Sequence, residues 1–311
     1  MAAPPAAIRT YTGCRSVHRA GINPPRSTPL APADLFGLAA AMLAFAANSV
    51  FCRLALGHVA IDAASFTLLR LASAAVALQL ICAVRGQTGR PAVRLDVRSA
   101  IALFTYAAAF SFAYRELTAG TGALILFGAV QATMIGTGLF RGERPAAVEW
   151  SGLVIALAGL GWLVAPGLTA PPPFGAALMA LAGVAWGVYS LRGRKLGNHP
   201  LQTTAANFLW AVPLGVVLFA ADPDTPFLST AGLGWAVLSG ALASGAGYAV
   251  WYAILPRLTA TRAATLQLTV PVLAALGGVV FLHETISARL VLASLLVLGG
   301  VSLAVFRRRR G

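Results

Sequence analysis

Apolar stretches of about 20 residues recur from Asp34 to Phe306, separated by short breaks that carry arginine or proline. No other feature constrains the fold as much. A hydrocarbon core about 30 Å thick is crossed by ~20 helical residues, and inside it every backbone polar group must find its partner within the chain. The pattern predicts ten spans, at 34–54, 63–84, 98–115, 119–140, 147–166, 174–191, 202–221, 232–252, 262–282 and 287–306. The longest breaks, "RGQTGRPAVRLDVRS" at 85–99 and "APGLTAPPP" at 165–173, are polar or proline-rich. With 58% hydrophobic and 10% charged residues, against roughly 25% charged in soluble domains, the chain reads as an all-α integral membrane protein.

The net charge of +14 raises the question of a nucleic-acid partner, but its placement argues against one. The basic residues lie between apolar runs and at the two ends rather than on one soluble face, as charges that set membrane topology do. With the N-terminus in the cytoplasm, 19 Lys and Arg fall inside and three (Arg53, Arg115 and Arg289) outside, while Arg70 lies within a span. This asymmetry favours ten spans and places both termini in the cytoplasm. Residues 1–33 hold four arginines and no apolar stretch of the kind a cleaved signal peptide needs, so they read as a disordered basic cytoplasmic tail. Residues 307–311 form a second basic cytoplasmic end. Arginine in place of lysine, with abundant Ala and Gly, suggests a GC-rich bacterial gene and hence a bacterial cytoplasmic membrane. Cys14, Cys52 and Cys82 follow no metal or redox spacing and read as packing thiols; neither metal nor cofactor is expected.

The phrase "LTAGTGALILF" at 117–127 returns as "LTATRAATLQL" at 258–268. Sliding 117–164 over 258–305 without a gap superposes identical residues at the opening phrase and at Glu143/Glu284 and Gly159/Gly300, among others. Residues 34–166 and 174–306 therefore read as two five-helix copies. Five is odd, so the second copy enters the membrane from the opposite side, giving inverted repeats. That architecture places a site between the halves near the midplane and keeps inward-open and outward-open states close in energy.

On these residues, and on the hairpins "LFRGERPAAVEWSGLVIALAGLGWLV" and "FLHETISARLVLASLLVLGGVSLAV", the chain resembles the drug/metabolite transporter superfamily, in particular the EamA-type ten-helix carriers, over roughly residues 34–306. The resemblance implies a cytoplasmic-membrane carrier, often an exporter of amino acids or other small metabolites. It also implies a pathway lined by the first, third, fourth, sixth, eighth and ninth helices.

Polar and aromatic side chains inside spans are the candidate substrate contacts. They are Asn48, Tyr106, Ser111, Gln131 and Thr133 in the first half, and Trp186, Tyr189, Tyr248, Trp251, Tyr252 and Gln267 in the second. Each has a plainer reading, as an interhelical hydrogen-bond partner or an interfacial aromatic. Arg70 has two readings, an anchor that snorkels to the nearby outer end of its helix, or a group that binds a substrate carboxylate or gates the path. Glu143 and Glu284, at equivalent hairpins, read as helix caps with local ion pairs or as symmetric latches. Glycines in the fourth and eighth spans allow close packing, and Pro213 and Pro271 are expected to kink their helices.

All nine acidic residues and all four histidines lie in loops or near span ends, so carboxylate-based proton coupling is not expected. The absence of clustered catalytic groups within spans argues against an enzyme. A single-chain inverted repeat argues against an oligomeric channel. The reading is a secondary exporter of small metabolites; an importer or channel-like facilitator is the alternative.

Overall fold

The computed structural model describes residues 31–87, 96–140, 147–165, 167, 170–193, 199–223, 226–255, 258 and 266–306. Ten helical elements make up the described chain: α1 Pro32–Gly57, α2 Ala63–Val84, α3 Val97–Ala113, α4 Ala119–Phe140, α5 Ala147–Val164, α6 Pro173–Gly193, α7 Pro200–Ala221, α8 Thr230–Ile254, α9 Thr269–Leu282 and α10 Ala288–Phe306. Among the described residues the only strand-like feature is an isolated bridge between Ile61 and Leu228. Six helices (α1, α2, α4, α6, α7 and α8) are long and apolar enough to cross a membrane; apolar segments within the other four are shorter. Apolar side chains such as Leu80, Val217, Val280 and Leu295 point outward, while Asn48, Thr67, Arg70, Ser239 and Asn207 are buried. Apolar outside and selectively polar inside is the arrangement lipid demands.

Local chemistry sets several helix starts. The Asp62 carboxylate accepts from Ser65 N–H (2.7 Å) ahead of α2, and Asp96 accepts from Ser99 N–H ahead of α3. The Ser229 hydroxyl accepts from Gly232 N–H at the head of α8. Each uses one of the four amides that a helix N-terminus leaves unpaired. The middle of α8, Leu238–Ala246 (LSGALASGA), widens into a π-helical stretch. There Gly240 meets the Arg70 carbonyl and Ser73 Oγ so closely that a Cβ would overlap both. Pro213 lies inside α7 as the sequence suggests. Pro271 lies in the first turn of α9, and the helical path is interrupted just before it, at Leu268, as the sequence suggests.

Hairpin ends gather at two poles. At one, Asp62 N–H donates to the Phe227 carbonyl, Gly175 N–H to Glu116, and Arg289 to the carbonyl of Ala165. At the other, Arg192 pairs with Asp96 (2.6 Å) and Gln202 donates to the Gln87 carbonyl.

Helix packing follows a pattern. α3 packs on α6 and α1 on α8; α4 on α6 and α1 on α9; α2 on α8 and α3 on α7. α2 meets α7, α4 meets α9 and α5 meets α10. Exchanging each helix for the one five places along turns this list into itself. The α5–α10 crossing repeats the pattern at residue level. A Cβ on Gly159 would sit 3.1 Å from Val297 N, and one on Gly300 would sit 2.6 Å from Ala156 N.

Candidate functional site

A chamber lies among α1, α3, α4, α6 and α8, and Gln267, two residues before α9, also lines it. Phe45, Asn48 and Ser49 of α1, Tyr106 and Phe110 of α3, Trp186 of α6, and Ser244 and Tyr248 of α8 line it, with Leu126 and Phe127 of α4. The space open to the centres of water-sized molecules is about 20 Å³, room for about one water. The chamber is therefore collapsed onto its own aromatic walls. Trp186 lies 5.0 Å from the Tyr106 ring and 5.1 Å from Tyr248, and Phe45 meets Tyr248 edge-on at 5.6 Å.

One hydrogen-bonded chain runs along the wall. The Ser239 hydroxyl donates to Asn48 Oδ1 (2.7 Å), Asn48 Nδ2 donates to the Tyr106 hydroxyl (3.4 Å), and Arg70 Nη2 donates to the same hydroxyl (3.0 Å). Four helices meet in it, α1, α2, α3 and α8, and α8 approaches α2 at Gly240, next to Ser239. Arg70 does not snorkel. The residue is 1% exposed, and its guanidinium carbon stands 5.1 and 4.8 Å from the ring centroids of Tyr106 and Phe110.

The other sequence candidates divide. Asn48, Tyr106, Trp186, Tyr248 and Gln267 meet in the chamber. Tyr189 packs against Trp186 with tilted rings 5.5 Å apart and accepts from Asn207 Nδ2. Trp251 touches Phe45, and Tyr252 meets Tyr248 edge-on at 6.5 Å, so both form an outer layer of the same aromatic cluster. Ser111 donates to the Ala107 carbonyl of its own helix and Thr133 to that of Ala129, the usual retreat of a hydroxyl inside an apolar helix. Gln131 lines a separate apolar cavity with Leu153, Leu160 and Val301, where its Nε2 has no partner among the described residues. Glu143 lies outside the described residues.

Glu284 sits at the turn before α10. Its carboxylate accepts from Ala119 N–H (2.9 and 3.2 Å) at the start of α4 and from Arg53 Nε (3.3 Å) at the end of α1. Arg53 Nη1 also donates to the carbonyls of Tyr114 and Arg115. One clasp thus ties the ends of α1, α3 and α4 to the α9–α10 turn at one pole. Sequence reasoning passed over Phe45, Ser49, Phe110, Ser239, Ser244 and Arg53. Ser239 and Ser244 are hidden in an Ala/Gly/Ser run, although polar residues in a glycine-rich span are themselves a signal.

At the opposite pole, burial alone would raise the Asp96 carboxyl, but hydrogen bonds from Ser99 and Arg192 and the Arg192 charge outweigh it and hold the group below its ordinary value.

These features define the class: a multi-pass helical membrane protein with an internal polar chamber walled by aromatic rings. The chain belongs to the EamA-like transporter family, which matches residues 173–306. It is 53% identical over 268 residues to an uncharacterized protein of Pseudomonas aeruginosa, covering 86% of this chain and 93% of the relative. It is 35% identical over 162 residues to the threonine/homoserine exporter RhtA of Salmonella typhimurium, covering 50% of this chain and 53% of that protein, about half the exporter's length. A solved crystal structure aligns over 88% of this chain and 99% of its own with a TM-score of 0.62 at 20% identity, a likeness of fold alone. The protein is thus a transporter of this family, embedded in a membrane and acting on a small molecule.

Proposed function

We propose that the protein is a secondary exporter of small metabolites, amino acids among them, working by alternating access across the cytoplasmic membrane. In this reading ten helices span the bilayer as two inverted five-helix halves, 34–166 and 174–306, with both termini in the cytoplasm. The observation that carries it is the chamber itself. It is built from both halves, walled by aromatic and amide groups, and has room for about one water, with the Glu284 clasp at one pole. A chamber this tight suits a carrier that releases solute by rearranging, and it does not suit a standing pore.

The five-place exchange in helix packing, and the reciprocal contacts of Gly159 with Val297 and Gly300 with Ala156, support the twofold relation between halves. In a bilayer such an axis lies in the membrane plane when the halves are inverted. The wide excess of basic residues in loops assigned to the cytoplasm supports the orientation. Likeness to a threonine/homoserine exporter supports amino acids as cargo and export as direction.

The test is comparative metabolite profiling of medium and cytosol from deletion and overexpression strains. Export retains a solute in the deletion strain and releases it on overexpression. The reverse pattern means import. Flat profiles together with a unitary conductance from the purified protein in planar bilayers would overturn the carrier reading.

A further inference from the structure

Arg70 is a permanent cation whose described surroundings supply no anion. Arginine does not lose its proton in proteins, so burial leaves the charge in place and a low-dielectric interior makes an uncompensated charge expensive. The titratable groups acting on it are Tyr106, Tyr248 and Cys52, none of them a carboxylate. Of its guanidinium nitrogens, Nη2 alone has a hydrogen-bond acceptor, the Tyr106 hydroxyl, while Nε and Nη1 are buried and unpartnered. A second orphan lies on the chamber wall, the buried hydroxyl of Ser244. Asn48, by contrast, already has partners on both its oxygen and its nitrogen.

An arginine fork with free N–H groups fits the two oxygens of a carboxylate in a planar, bidentate pair. We propose that Arg70 is the anchor of a carboxylate subsite, so that the solute carried bears a free carboxylate and brings the countercharge that Arg70 lacks. The inference rests on the transport reading and narrows it to small organic acids and amino acids. Arg70 stands behind the wall formed by Tyr106 and Phe110, both of which face the chamber. An arriving carboxylate therefore displaces the Tyr106 hydroxyl from the guanidinium, exchanging a neutral acceptor for a charged one. Movement of that ring away from Trp186 also enlarges a chamber that is now too small for any amino acid. The remainder of the solute lies against the faces of Trp186 and Tyr248, which suit an apolar or cationic group. Amines without an acid group meet an unscreened positive charge and are rejected.

The test uses the full-length protein in proteoliposomes preloaded either with a mixture of L-amino acids or with the corresponding amino-acid amides, which lack the carboxylate. Acids are expected to leave at least about tenfold faster than amides, since a site built to bind a group rejects the analogue that lacks it. Arg70→Met is expected to abolish the preference and Arg70→Lys to keep part of it. Thermal stability separates this role from a structural one. Removing an unpaired buried cation leaves the melting temperature of Arg70→Met unchanged or higher, whereas a cation needed for packing makes it fall sharply. Equal efflux of amides and acids, an intact preference in Arg70→Met, or that sharp fall overturns the inference. If neither mixture leaves while metabolite profiling still registers export, the subsite is wrong and the transport reading stands. Flat profiles as well bring down the transport reading and the subsite with it.

Discussion

Glu284 holds the N-terminus of a helix that begins 165 positions earlier: its carboxylate accepts from Ala119 N–H at 2.9 Å while pairing with Arg53 at 3.3 Å. A carboxylate at a helix N-terminus meets unpaired amides and the positive end of the helix dipole, and here it also meets a guanidinium. The clasp therefore holds more strongly than a surface ion pair, and its opening frees α1, α4 and the α9–α10 turn together.

Glu284→Ala is expected to unlatch this pole. Charge-assisted hydrogen bonds contribute about 1.5–3 kcal/mol each, and losing even one shifts a two-state balance by roughly tenfold or more. Cys52, fully buried beside Arg53, is a native reporter. With Cys14 and Cys82 replaced by Ser, a membrane-impermeant maleimide applied from the clasp side should label Cys52 at least several-fold faster in Glu284→Ala than in the wild type. Equal labelling would show that the clasp does not control access.

The wall network predicts a specific non-additivity. Asn48→Leu strands the Ser239 hydroxyl, and Tyr106→Phe takes an acceptor from both Asn48 and Arg70. Each is expected to cost about 1–3 kcal/mol in denaturant unfolding in detergent, because a buried polar group is left without a partner. The double variant should cost clearly less than the two combined, with a coupling of at least ~0.5 kcal/mol. Strict additivity would place Asn48 and Tyr106 in independent environments.

These residues mark what could and could not be read from the sequence. Apolar run length predicted the helix boundaries to within a few residues for α1–α8 and α10, because the width of a bilayer and the rise of a helix fix that length. Asn48, Tyr106, Trp186, Tyr248 and Gln267 stood out as polar or aromatic groups inside apolar runs, and they meet in the chamber. Ser111 and Gln131 carried the same signal but face elsewhere, since composition cannot say which side of a helix points inward when all sides are apolar. The burial of Arg70 depends on that same missing angle. The partner of Glu284 was out of reach for a different reason: it is set by how the halves interlock, which no local pattern encodes.

Two glycines test the packing with opposite signs. A Cβ at Gly240 would overlap Ser73 Oγ and the Arg70 carbonyl, so Gly240→Ala is expected to destabilise by about 1–3 kcal/mol and to disturb the network at Ser239. A Cβ at Gly299 meets nothing within 4 Å, so Gly299→Ala should stabilise by up to ~1 kcal/mol through helix propensity alone. Melting temperatures of the two variants in one detergent check both signs. If Gly240→Ala is neutral, α8 and α2 do not approach as closely as described.

The pole opposite the clasp predicts a pH dependence. Asp96 accepts from Ser99 Oγ at 2.5 Å and from Arg192 Nη2 at 2.6 Å, and these bonds hold its carboxyl below the ordinary value against the opposing pull of burial. A group whose folded value is depressed contributes stability that is complete above its unfolded value, near 4, and drains away as the pH falls through the folded value. Stability should therefore drop as the pH is lowered from about 5 towards 3, by no more than ~1 kcal/mol from this site, since Arg192 is one-third exposed and solvent screens the pair. Other carboxylates titrate in the same window, so the quantity to measure is the difference between wild type and Asp96→Asn. That difference should be largest at neutral pH and shrink on acidification. A difference that stays constant from pH 7 to pH 3 would mean that Asp96 acts at the head of α3 as a hydrogen-bond acceptor alone, with no contribution from its charge.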